Sequence, residues 1–137
     1  MTATEAREKI ISEFINGYYE WLEDVKAVEG KEWREIFNSE YFKKYPMTPA
    51  DGDNVASVKD NQKWLVWYHR NIFNGRWLKD WEKEGFEKQT IWALRAEGFL
   101  FVSEYSNWNA RSTGHTAFYF ISQATAKEIY KGMKVGM

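Results

Sequence analysis

The side chains in this sequence that are placed to do chemistry favour holding a partner over transforming one. The stretch 106–115 reads SNWNARSTGH and gathers Asn107, Trp108, Asn109, Arg111, Ser112, Thr113 and His115. Together they supply hydrogen-bond donors and acceptors, one cation and one stacking ring, a mixture suited to phosphate backbone or base contacts. The same asparagines, with Gly114, also supply turn geometry, and Trp108 has the alternative of folding back onto the core. A second set lies on the stretch 88–96, KQTIWALRA. At about 100° per residue, placing Ile91 and Leu94 inward turns Gln89, Trp92, Ala93 and Ala96 outward, with Lys88 and Arg95 on one flank. Glutamine can read adenine bidentately, lysine and arginine can hold phosphate or guanine, and small alanines permit close approach to a groove. Trp92 is bulky for a helix that enters a groove and is expected to pack against the N-terminal helices.

Catalytic spacings are missing. The two histidines, His69 and His115, are far apart, and His69 sits among apolar residues, as a structural histidine would. The sequence holds no HExxH, P-loop or GxSxG, and no GxGxxG set between a strand and a helix. Acids such as Glu82 and Glu84, or Glu20 with Glu23 and Asp24, stand in charged helical runs where solvation explains them. Asp51 and Asp53 in DGDN resemble the opening of a calcium loop, but the later glycine and bidentate glutamate are absent, so a turn is expected. There is no cysteine, which excludes thiolate chemistry and disulfides. The expectation is a protein that is not an enzyme and needs neither cofactor nor metal.

The elements that must position these residues follow from periodicity. Thr4, with Glu5 and Glu8 in the first turn, starts a helix that runs to about Val28 on a stripe of Ile10, Ile11, Phe14, Ile15, Tyr18, Tyr19, Leu22 and Val25, weakened at Gly17. A second helix is expected from Lys31 to Tyr45, stopped by Pro46. Residues 47–60 form a loop, and Asn61 opens a helix ending at Asn74-Gly75. Short helices follow over Trp77 to Glu84 and Phe86 to Glu97, separated by Gly85 in a helix-turn-helix arrangement. Phe99 to Tyr105 and Thr116 to Ser122 read as two strands of a long-tipped hairpin, and Ser122 to Lys131 as a closing helix before a frayed tail, 133–137.

A chain of 137 residues suits one domain with a shared core, divided into an N-terminal helical part (1–46), a loop (47–60) and a second part (61–132). Eight Trp, eight Tyr and nine Phe are a heavy aromatic load, expected mainly in that core. Net charge is −1, but residues 1–58 carry 7 Lys+Arg against 12 Asp+Glu, and the remainder 12 against 8. The second part is therefore the side suited to a polyanion. No signal peptide or membrane-spanning stretch is legible, and a cytoplasmic location is expected.

Three helices, a hairpin and a closing helix, with TIWALRAEGFLF running into a polar loop and then TAFYFISQATAKEIYKG, resemble winged helix-turn-helix domains over residues 61–132. The resemblance implies that the helix before the hairpin enters the DNA major groove and that the hairpin tip, the wing, touches backbone or minor groove. The expected fold class is then α+β, mainly helical, with N-terminal helices packed on a winged-helix-like unit that has one β-hairpin. The expected function is a small nucleic-acid-binding regulatory module, DNA being the favoured ligand. Its contacts would be the 88–95 helix and the 107–115 wing, and the acidic N-terminal helices would serve regulation or homodimer formation. The alternative is a protein-binding inhibitor or adaptor of phage or mobile-element type, because Trp, Tyr and Arg dominate interface hot spots.

Overall fold

The structure, a computed structural model, describes residues 1–46, 65, 67–69, 72–73, 75–106 and 115–133; within the hairpin it describes side chains at 100–103 and 117–121. The expected class holds: the chain is mainly helical, with a small antiparallel sheet. It divides into two compact units, Met1–Glu13 with Asn74–Met133, and Phe14–Phe73 with Lys134–Met137. The first division falls inside helix α1, Ala3–Val25.

Helix α1 begins with a reciprocal cap. The Glu5 amide donates to Thr2 Oγ1 at 3.1 Å and the Thr2 amide donates to Glu5 Oε1 at 3.3 Å, so the start is Thr2 and not Thr4. Hydrogen bonding from the Thr2 amide first, and from its hydroxyl second, holds the Glu5 carboxyl below its ordinary pKa. The fully buried face is narrower than the expected stripe: Ala6, Ile10, Phe14, Tyr18, Trp21 and Val25, at steps of four or three. Tyr19 is exposed, and Trp21, outside the expected set, is completely buried.

In the first unit, α1 is followed in chain order by strand β1 (Arg76–Trp77), helices α4 (Leu78–Lys83) and α5 (Lys88–Ala96), strands β2 (Leu100–Ser106) and β3 (His115–Ile121), and helix α6 (Gln123–Gly132). The sheet order is β1-β3-β2, all antiparallel. The single hairpin foreseen from sequence thus gains a third strand. Arg76 pairs with Tyr119 and Trp77 with Phe118, a two-residue bridge too short to leave a periodic signal. Gly75 permits this approach, since a Cβ there would collide with the Tyr119 carbonyl and the Phe118 and Phe120 rings. Along β3 the pleat buries Tyr119 and Ile121 and turns Phe118 and Phe120 to the other face.

Positive φ at Gly85 (95°) and Gly98 (79°) makes the turns after α4 and α5. At the hairpin base, Ser122 caps α6: its Oγ accepts from the Thr125 amide at 3.2 Å and donates to the Gly98 carbonyl at 2.7 Å. Thr125 Oγ1 donates to the Phe99 carbonyl at 2.9 Å. The exit of α5, the root of β2 and the start of α6 are therefore tied by two hydroxyls. Met133, expected in a frayed tail, is buried, because an apolar side chain just past the helix end has core surface to cover.

In the second unit, the single helix expected from Lys31 to Tyr45 is two: α2 (Trp33–Phe37) and α3 (Glu40–Lys44). Asn38 and Ser39 break it by drawing backbone carbonyls to their side chains, Asn38 Nδ2 donating to the Arg34 carbonyl and Ser39 Oγ to that of Ile36. Residues 65 and 67–69 are helical. Their rings join those of α1: Trp67 stacks on Trp21 at 5.3 Å between centroids, and Tyr68 meets Phe14 edge-on at 5.4 Å. Gly17 has a reason to lack a side chain, since a Cβ would strike the Tyr68 hydroxyl. The loop 47–60, with Asp51 and Asp53, lies outside the described residues.

Candidate functional site

Helix α5 is held by its inner face. Ile91 and Leu94 are fully buried, and Thr90, also buried, donates its hydroxyl to the Met1 carbonyl at 3.0 Å. The opposite face carries the expected residues to solvent: Lys88, Gln89, Trp92, Arg95 and Ala96 are exposed, and Ala93 is half-buried. Trp92, expected to pack against the N-terminal helices, is 51% exposed, the inward positions of its own helix being taken by Thr90, Ile91 and Leu94.

The charge around this face is shaped by α1. Glu87 and Glu97 flank α5 at its two ends, and each is answered by a cation from the start of the chain. The Met1 ammonium lies 3.7 Å from Glu87, and Arg7 pairs with Glu97 while also donating to Thr4 Oγ1. Among the described residues neither Lys88 nor Arg95 forms an ion pair. The outward face therefore presents two cations whose nearest sequence neighbours of opposite sign are already engaged.

Arg76 fixes the strand that precedes the helix pair. It pairs with Glu13 at 3.0 Å and with Glu84, and its guanidinium lies 4.6 Å from the Trp81 ring centroid. Trp81 Nε1 donates to the Arg76 carbonyl at 3.1 Å. These contacts build the scaffold of α4 and α5 and leave Arg76 no part in the outward face of α5.

The sheet carries an unforeseen aromatic row. Trp77 meets Phe118 edge-on at 4.9 Å, Phe118 meets Phe120 at 5.0 Å, and Phe120 stacks on Phe101 at 5.7 Å. Phe101 is 57% exposed. The period-two spacing of Phe118 and Phe120 was visible in the sequence, but its meeting with Trp77 depends on the β1 bridge.

Of the wing residues, Asn107, Trp108, Asn109, Arg111, Ser112 and Thr113 lie outside the described residues. His115 opens β3 opposite Ser106. His69 is half-buried with its ring 6.1 Å from that of Phe14, in the other unit. Among the described residues no cluster of three His, Asp or Glu side chains is arranged to hold a metal ion, and no helix is long and apolar enough to cross a membrane.

Among the described residues of the second unit, Asp24 gathers a polar cluster with Lys44 and Tyr45. Asp24 accepts from Lys44 Nζ at 2.8 Å and from the Tyr45 hydroxyl at 2.7 Å, and Lys44 also reaches Glu20. The bond from Lys44, then that from Tyr45, holds the Asp24 carboxyl below its ordinary pKa. Burial, helped by the bond to Asp24, pushes the Tyr45 phenol up to about 12. Burial likewise raises Tyr41, whose oxygen accepts from Trp21 Nε1 at 2.7 Å. Every member of this cluster points to structural use, since each charge or hydroxyl is spent on a neighbour in α1, in α3 or at the end of α3. No protein-family model matches the chain, and neither a curated protein nor a solved structure is significantly similar to it.

Proposed function

We propose that this chain is a small nucleic-acid-binding regulatory module of winged-helix-like build, a binding protein and not an enzyme, acting in the cytoplasm. The observation that carries the reading is the outward face of α5, where Lys88 and Arg95 stand beside Gln89 while the acids at either end, Glu87 and Glu97, are engaged by Met1 and Arg7. Phosphates are bound by such uncompensated cations, and a glutamine among them can read a base edge. The chain order of the first unit supports the winged-helix reading, with one change. Its leading helix is supplied by residues before Phe14, whereas residues 65–73 belong to the second unit.

The test is a fluorescence-anisotropy titration of labelled DNA and RNA against the full chain over a range of salt. Binding should weaken steeply with ionic strength, and Lys88→Ala with Arg95→Ala should make the log–log salt slope shallower by about 2. No retention of DNA or RNA at low salt overturns the reading. A second reading, a protein-binding inhibitor or adaptor, is favoured by the exposed Phe101 and the ring row behind it. Aromatic burial against a protein would leave affinity nearly independent of salt.

A further inference from the structure

The α5 face differs from a groove-reading surface in one respect, which is the placing of Trp92. At about 100° and 1.5 Å per residue, Trp92 stands roughly 6 Å along the axis from Lys88 and 4.5 Å from Arg95. Both cations lie about 40–60° to the same side of it, while Gln89 and Ala96 lie on the other. The indole is half in water although its helix has a well-filled inner face. A duplex keeps its base faces stacked inside and offers such a ring nothing to lie against, and a groove-entering helix must find room for its bulk. An unpaired base has a free face, and the phosphates on either side of it then fall where the two flanking cations can reach them.

Building on the nucleic-acid reading above, we infer that the α5 face binds single-stranded nucleic acid, with one base stacked on Trp92, the adjoining phosphates held by Lys88 and Arg95, and Gln89 beside the base edge. Duplex is the weaker ligand. Stacking on a ring is tolerant of base identity, so sequence preference at this nucleotide falls to Gln89 and is modest.

The experiment compares fluorescein-labelled 12-mers of oligo(dT) and oligo(rU) with a 12-base-pair duplex at one low salt concentration, using the full chain and its Trp92→Phe, Trp92→Leu and Trp92→Ala variants. Far-ultraviolet circular dichroism checks that each remains folded, as expected for a half-exposed position. The expected result is single strand bound at least about tenfold tighter than duplex, a loss of about tenfold or more for Leu and Ala, and retention of most affinity by Phe. The two single-stranded arms decide between DNA and RNA. Duplex bound as tightly as single strand, or single-strand affinity unchanged in Trp92→Leu, overturns the inference while leaving the nucleic-acid reading standing. Absence of binding to all three probes overturns both.

Discussion

Trp21 and Trp92 are the same side chain put to opposite uses in the two units. Trp21 has no exposed surface, donates its indole N–H to Tyr41 and stacks on Trp67. Trp92 leaves half its surface in water on a helix whose other face is full. Burial of a large ring with its one polar atom satisfied is ordinary core economy, and near Trp21 other rings meet edge-on: Phe14 lies 5.4 Å from Tyr68 and 5.0 Å from Phe73, and Tyr18 lies 5.4 Å from Tyr68. An exposed indole between two cations follows no such logic. The contrast separates aromatic residues kept for packing from those available to a partner.

That contrast is most easily broken by truncating both rings. Trp21→Ala should destabilise the protein by about 3–5 kcal/mol, measured by urea unfolding, because it removes a fully buried ring and orphans the Tyr41 hydroxyl. Trp92→Ala should change stability by less than about 0.5 kcal/mol. Equal losses at both positions would mean that Trp92 is a packing residue after all, and the α5 face would lose its central feature. Ser122→Ala should fall between them, costing about 1–2 kcal/mol, since it removes both the α6 cap and the bond to the Gly98 carbonyl. If the cap matters to the site, this variant should also weaken nucleic-acid binding, because the same hydroxyl steadies the exit of α5. A stability loss with undiminished affinity would show that α5 is held well enough from α1 alone.

The parts of this fold legible in the sequence are those with a period. The α5 register came directly from Ile91 and Leu94, and the hairpin from two β-like runs. The expected stripe on α1 is broader than its buried face, because Tyr19 and Trp21, two positions apart, are both apolar-looking and only the packing partners Trp67 and Tyr41 decide between them. Strand β1 has two residues and no period. The break at Asn38 and Ser39 comes from side chains competing for carbonyls, which composition hints at without fixing. The outward face of α5 was legible as a set, but the engagement of Glu87 and Glu97 by Met1 and Arg7 joins residues some ninety positions apart, a pairing no local pattern carries.

The smallest expected effect concerns acid and distinguishes the two units by their charges. Asp24 has its native pKa depressed by Lys44 and Tyr45, so its contribution is fully present above the unfolded-state value, near 3.8, and is lost as pH falls through the lower native value. Asp24→Asn should therefore be less stable than the parent at neutral pH, by under about 1 kcal/mol because the group is partly solvated, and the difference should shrink below about pH 4. Urea titrations of both proteins at pH 7 and pH 3 measure it. A gap that does not shrink at all between pH 7 and pH 3 would assign the loss to hydrogen-bond geometry around Tyr45 and not to the carboxylate charge.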